Sequence, residues 1–254
     1  VNTLDAQQVI DFNQNGWLIT DSLQPSEAAS LQSWVDEVAA WPKEGGDWLH
    51  HEELTIFGPS LCRTEYFTPF HEGLRKLLAD GSMLDTASAL LGEQAVLYKE
   101  KINYKLAGGA GWEPHQDAPA YPFIKTHVSC MMAVDNATTE NGCLEVVSRA
   151  HQKILPMDIN GCIQPDIAAA FNWQPVELCA GQTLWFHSRT PHRSGDNRSI
   201  HDRRALYPTY NALSEGDLRE EYYATKRSEF AKMGAGGSEV RLSLINDFRG
   251  KPVK

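Results

Sequence analysis

The chain has 254 residues, 42% of them hydrophobic and 22% charged, with a formal charge of -10 at neutral pH. That length supports a sizeable core, and that acidity excludes nucleic acid and anionic membrane as favoured partners, because both reward basic surfaces. No apolar run approaches the roughly 20 residues of a membrane span, and no signal-peptide core opens the chain, so a cytoplasmic protein is expected. Residues 3–15 read as a helix closed by Asn15 and Gly16, and residues 17–20 as a short apolar strand. Pro25 opens a second helix reaching about Trp41, with Ala28, Leu31, Val35 and Val38 on one face. Residues 42–58 have no clear period and read as loop. The adjacent His50 and His51 within it are expected to be solvated or hydrogen-bonded rather than metal-bound. Helices over 68–80 and 82–91 come next, the second ending at Gly92.

From Gln94 onward the pattern is β-rich, with runs at 95–105, 127–135, 143–147, 176–186 and 203–211. Helical patterning returns only at 165–171 and 216–233. A turn at 234–237 and an apolar segment at 240–248, read as a final strand, complete the chain. The expected organisation is one domain of α+β class: a helical layer over about 1–92, a β core over about 93–212, and a C-terminal helix and tail over 213–254. The five cysteines, Cys62, Cys130, Cys143, Cys162 and Cys179, are widely spaced and include no CxxC, so they read as reduced thiols.

One stretch concentrates chemistry. Read as a strand, Lys99, Lys101, Asn103 and Lys105 share a face, a poor pattern for solvent and a good one for an anion. The alternative is a sheet edge that uses lysines to discourage aggregation. A glycine-rich loop then leads to His115 and Asp117, two apart and able to point the same way. Far downstream, the apolar run ending at His187 leads to His192 just before the next strand. Two histidines and one carboxylate on a β scaffold leave three metal positions open, the facial triad of non-haem iron oxygenases.

These motifs together resemble the phytanoyl-CoA dioxygenase-like branch of the Fe(II)/2-oxoglutarate dioxygenases, which includes ectoine and phosphonate hydroxylases. The resemblance rests on residues 101–105, on His115-Gln-Asp117 and on Asn141-Gly142 with residues 144–151. It extends through residues 192–199 and 203–207. It implies a double-stranded β-helix, or jelly roll of the cupin type, with helices packed on one sheet. It also implies Fe(II) held by His115, Asp117 and His192, with His187 as the competing distal histidine. The family's basic residue for the far carboxylate of 2-oxoglutarate lands on Arg203, with Arg198 and Arg204 as rivals; a guanidinium suits that role. Ser194, Asn103 and Lys105 fall on the co-substrate side, and Lys99 and Lys101 on the substrate side.

The implied activity is hydroxylation of a small polar molecule, with O2 consumed and 2-oxoglutarate converted to succinate and CO2. Two lysines facing the substrate favour an anionic head, and an aminoalkyl-phosphonate is the best-fitting class. Tyr121 and Phe123 are candidates for the pocket wall or the core. Asp135 is either a solvated strand end or a partner for a substrate amine. Asp117 argues against halogenation, because halogenating relatives carry a small residue there. Other readings are a hydroxylase of a free amino acid, an ectoine-like compound or another secondary metabolite, a jelly-roll binding protein without turnover, and a metal-dependent isomerase that uses no 2-oxoglutarate.

Overall fold

The computed structural model describes residues 4–55, 58–121, 123–234 and 251–252. In chain order the N-terminal elements are α1 (Ala6–Asn15), β1 (Trp17–Asp21), α2 (Pro25–Ala39), β2 (Leu49–Thr55), β3 (Gly58–Glu65), α3 (Glu72–Ala79) and α4 (Ser82–Leu91). The β core begins with β4 (Ala95–Lys99), β5 (Lys101–Lys105), β6 (Trp112–His115), β7 (His127–Ala133) and β8 (Leu144–Val146). It continues through α5 (Pro165–Ala169), β9 (Gln174–Val176), β10 (Gln182–His187), β11 (His192–Ser194), β12 (Arg203–Leu206) and β13 (Thr209–Ala212). Helix α6 (Arg219–Gly234) and the short β14 (Lys251–Pro252) complete the described elements. The apolar segment at 240–248 and the turn at 235–237 lie outside the described residues.

Two sheets face each other. The larger has ten strands along the path β1-β10-β7-β12-β5-β3-β2-β14, with β13 joining β7 to β4, and the smaller runs β6-β11-β8-β9. Helices pack alongside the larger sheet, which makes the fold a double-stranded β-helix of α+β class. Strand alternation sorts the side chains into two cores. Val128, Cys130 and Met132 of β7 and Ile102 and Tyr104 of β5 point to the helices, where Leu31, Val35, Leu74 and Leu90 cover them. Met131 and Ala133 of β7 point the other way, toward Leu144 and Val146 of the smaller sheet.

Two regions depart from the sequence pattern. The 42–58 region is not all loop: β2 and β3 form an antiparallel hairpin, and β3 pairs with β5. Its inner face carries His51, Arg63 and Glu65, all buried, so no apolar alternation betrays a strand. His50 and His51 are therefore buried, and of the two expected states His50 takes the hydrogen-bonded one. Nδ1 of His50 lies 2.8 Å from Thr64 Oγ1, and Nε2 of His51 lies 3.5 Å from Glu65. The long run 95–105 is also interrupted, with β4 and β5 separated at Glu100. There the Glu100 N–H donates to Tyr223 Oη (3.1 Å), and that hydroxyl donates back to the Glu100 carbonyl (2.9 Å).

Candidate metal centre

In the smaller sheet β6 and β11 are neighbours, and His115 lies directly across from His192. Cross-strand partners share a face, and the two imidazole centroids are 4.2 Å apart. Asp117 comes where β6 gives way to a single 3-10 turn, Ala118–Ala120, and its Oδ1 lies 3.8 Å from His192 Nε2. One ligand atom from each of the three residues falls within 4.8 Å of the others, and all three side chains are buried. Among the described residues this is the one such cluster. His187, the alternative distal histidine, accepts a bond from the Arg189 N–H and stacks against His151 instead.

Neighbouring groups set which atoms are free to bind. Nδ1 of His115 donates to the Glu113 carbonyl (2.7 Å), and Nδ1 of His192 to the Thr190 carbonyl (3.0 Å). With Nδ1 protonated, Nε2 of each ring carries the lone pair that a metal takes. Ser129 Oγ donates to Asp117 Oδ2 at 2.6 Å, leaving Oδ1 turned toward the histidines. Burial, reinforced by His192, pushes the His115 pKa down to about 3, which keeps the ring neutral. Burial disfavours the Asp117 carboxylate, but His192, Lys99, His115 and the Ser129 bond outweigh it and hold the acid well below the usual range. A neutral imidazole beside an ionised carboxylate is the protonation state that a divalent cation requires.

The triad opens on a cavity of about 40 Å³, lined by Lys99, Lys101, Asn103, Trp112, Phe186 and Tyr207 together with the ligands. A second cavity of about 80 Å³ shares Asn103, Trp112 and Tyr207 with it and is walled by Arg63, Lys105 and Arg203. The lysines in the first cavity touch aromatic rings. Lys99 Nζ is 4.6 Å from the Tyr121 centroid and Lys101 Nζ is 5.6 Å from that of Tyr207, and neither pairs with a carboxylate among the described residues. Burial pushes Lys99 down to about 8 despite Asp117, and burial together with Lys99 takes Lys101 well below the ordinary lysine range.

In the second cavity, Arg203 of β12 lies across from Lys105 of β5. The Gly142 carbonyl accepts from both, at 3.2 Å from Lys105 Nζ and 3.3 Å from Arg203 Nη2. Lys105 also reaches Ser194 Oγ (3.0 Å) and the Gly195 carbonyl, while Arg203 Nη1 rests 4.0 Å from Met131 Sδ. Arg203 Nε is buried with no partner among the described residues. Burial, then the adjacent guanidinium, pushes Lys105 down to about 7. Gly142 has φ +72°, and a Cβ there would stand 2.6 Å from Lys105 Nζ and 2.3 Å from the Gly195 oxygen, so only glycine fits.

Asp135 and Phe123 are not where the site reading put them, and Tyr121 takes its core alternative. Asp135 does not enter the cavity. The guanidinium of Arg204 grips it with Nε and Nη2 at 2.8 Å on the helix side of β12, where Asp36 of α2 also pairs with Arg204. Tyr121 is buried between Tyr98, Tyr222 and His127, where it seats Lys99 rather than lining the cavity. Phe123, 62% exposed, is neither wall nor core. The structure also adds residues that the pattern did not offer. Ser129 could have been found from Met131, since residues two apart on a strand share a face, and Tyr207 from its place four residues beyond Arg203. Nothing in the sequence pointed to Arg63, whose Nε donates to Asn103 Oδ1 at 3.0 Å and whose guanidinium lies 5.4 Å from the Trp112 ring.

A metal held by this triad would keep further positions open for ligands, and Lys99, Lys101 and Arg203 beside it have no carboxylate partner among the described residues. The pairing defines an Fe(II)- and 2-oxoglutarate-dependent dioxygenase that hydroxylates a small polar substrate. The chain belongs to the phytanoyl-CoA dioxygenase (PhyH) family, whose sequence model matches residues 12–205. It is 48% identical to methylphosphonate hydroxylase from Gimesia maris, over 99% of this chain and 98% of that protein. Identity to 2-aminoethylphosphonate dioxygenase from an uncultured bacterium is 36%, over 88% of each. Among solved structures, EctD from S. alaskensis with 2-oxoglutarate and 5-hydroxyectoine superposes with a TM-score of 0.74, covering 84% of this chain and 78% of that one at 21% identity. That likeness supports the fold.

Proposed function

We propose that the protein hydroxylates a small alkylphosphonate of the methylphosphonate type. The observation that carries this reading is the pair Lys99 and Lys101. Both line the cavity that holds the triad, both are desolvated, and neither has a carboxylate partner among the described residues. Buried charge without a counter-ion is costly unless a ligand supplies one. A phosphonate dianion matches two ammonium groups, and its alkyl carbon would then face the triad. The methylphosphonate hydroxylase likeness supports the same class.

An aminoalkyl substituent finds less support. With Asp135 held by Arg204, the one carboxylate lining the triad cavity among the described residues is Asp117, a metal ligand. Glu53 lines the second cavity, on the wall it shares with Arg63 and Lys105. The triad cavity, about 40 Å³, suits a small molecule.

The neighbouring cluster fits 2-oxoglutarate. Arg203, with its unpartnered Nε, together with Lys105 and Ser194 would hold the far carboxylate. Asn103, held by Arg63, would line the path between that carboxylate and the metal. When bound, iron with 2-oxoglutarate and O2 supplies an oxidative decarboxylation to succinate and CO2 and the delivery of one oxygen atom to a C–H bond. The chain's own residues orient. Ser129 fixes the Asp117 oxygens, the Glu113 and Thr190 carbonyls fix the histidine tautomers, and Lys99 and Lys101 aim the substrate. Trp112, Phe186, Leu144 and Tyr207 exclude water from the reacting carbon.

Succinate release tested against methylphosphonate, 2-aminoethylphosphonate, ectoine and free amino acids decides the proposal. Methylphosphonate should give the highest kcat/KM. Turnover with an uncharged or cationic compound alone would sink it, and a clear preference for 2-aminoethylphosphonate would move the substrate to the amino-bearing class.

A further inference from the structure

Strand β3 pairs with β5 so that Glu65 lies directly across from Lys101 on the same face. A buried carboxylate opposite a half-buried lysine is placed to pair with it. It does not do so here. Glu65, 1% exposed, is taken by the ammonium of Lys226, which α6 delivers from the far end of the chain, and that ammonium is itself buried. Arg63 Nη1 and His51 Nε2 complete the surround at 3.6 and 3.5 Å from Glu65 Oε1. Lys101 is left with the Tyr207 ring as its neighbour.

The helix that carries Lys226 is anchored independently of that pair. Arg219 donates to Glu100 Oε1 at 2.6 Å and to Thr68 Oγ1 at 2.8 Å, and Tyr223 bonds both main-chain groups of Glu100. These contacts fix α6 at the interruption between β4 and β5, one residue from Lys101. Lys226 thus reaches Glu65 from a helix already held in place.

We propose that Lys226 is a positioning residue for the substrate: by claiming Glu65 it leaves the Lys101 ammonium free for the anionic head. This rests on the reading that Lys101 meets an anionic substrate. It predicts that removing Lys226 releases Glu65 to quench Lys101, and that removing the charge on Glu65 as well undoes the damage.

The test compares Lys226→Met, Glu65→Gln with Lys226→Met, and Lys101→Met in the full chain, using Fe(II), 2-oxoglutarate and methylphosphonate. Lys226→Met should raise KM for methylphosphonate about 10- to 100-fold, the worth of one charge-assisted hydrogen bond, with kcat changed less than about threefold. The double variant should return KM to within about threefold of the parent, since it restores neutrality beside Lys101. The visible charge-transfer band of anaerobic Fe(II) with 2-oxoglutarate, which does not involve Lys101, should persist in all three. A double variant as impaired as Lys226→Met would assign Lys226 a merely structural role and overturn the proposal, as would an unchanged KM in Lys226→Met. An unchanged KM in Lys101→Met would instead remove the underlying reading of Lys101, a separate failure.

Discussion

Beneath α6, each buried carboxylate has a cation of its own: Glu65 meets Lys226 and Glu100 meets Arg219. On the neighbouring strands β5 and β12, Lys101, Lys105 and Arg203 sit among carbonyls, hydroxyls and rings, and none of them is paired with a carboxylate among the described residues. The first region satisfies its charges internally and the second leaves them open. The physical cost of burying ions is the same in both, so the difference marks where the protein awaits ligands: a dicarboxylate beside Arg203 and a small anion beside Lys101.

Removing a cation should therefore have opposite consequences in the two regions. Arg203→Leu should lower kcat/KM for 2-oxoglutarate by about 1,000-fold, the scale of truncating a buried charge partner. It should leave the urea midpoint unchanged or raised, because no protein carboxylate is stranded. Steady-state kinetics and urea unfolding on one preparation check both. A sharp stability loss with little kinetic effect would break the comparison. Arg219→Leu should do the reverse and cost about 3 kcal/mol of stability by leaving Glu100 buried and unpaired. Urea unfolding measures it, and the charge-transfer band should survive at low denaturant.

Two smaller effects sharpen the contrast. Ser129→Ala removes the bond that orients Asp117 and should weaken Fe(II) binding about 10- to 100-fold, measurable by competition with a chelator. The pH dependence comes from Lys105, pushed down to about 7 by burial and then by Arg203. Its ammonium, the form that binds a carboxylate, is progressively lost in the free enzyme above that pH. Binding of 2-oxoglutarate then has to take up a proton, so its KM should rise by roughly threefold or more between pH 7 and pH 8. A KM that falls over that interval would show that Lys105 stays charged or stands apart from the co-substrate.

The sequence revealed structure where one strand face is apolar and hid it where both faces carry other duties. The run at 127–135 was legible because Val128, Cys130 and Met132 fill the helix-side core. Strands β2 and β3 were not, because their inward residues are His51, Arg63 and Glu65. The triad could be read because His115 and Asp117 are two apart and His192 comes just after a strongly apolar strand. Asp135 was misplaced because alternation tells which residues share a face, not which arginine waits on it. Lys226 was invisible for a further reason: it acts on a residue 161 positions earlier in the chain, through a hairpin the pattern had not disclosed.

The pairing of His115 with His192 reaches beyond catalysis. These residues lie on neighbouring strands of the smaller sheet, yet 77 positions of chain separate them, and β8, β9 and β10 are all built within that interval. The strands of that sheet are only three or four residues long. A metal held by His115, Asp117 and His192 would close the loop as a cross-link does, and its binding energy would be gained only by the folded arrangement. Iron loading would thus also fasten the smaller sheet. In the metal-free protein the amides of β6, β8 and β11 should exchange with solvent faster than those of β7 and β10, and the difference should narrow as Fe(II) is added.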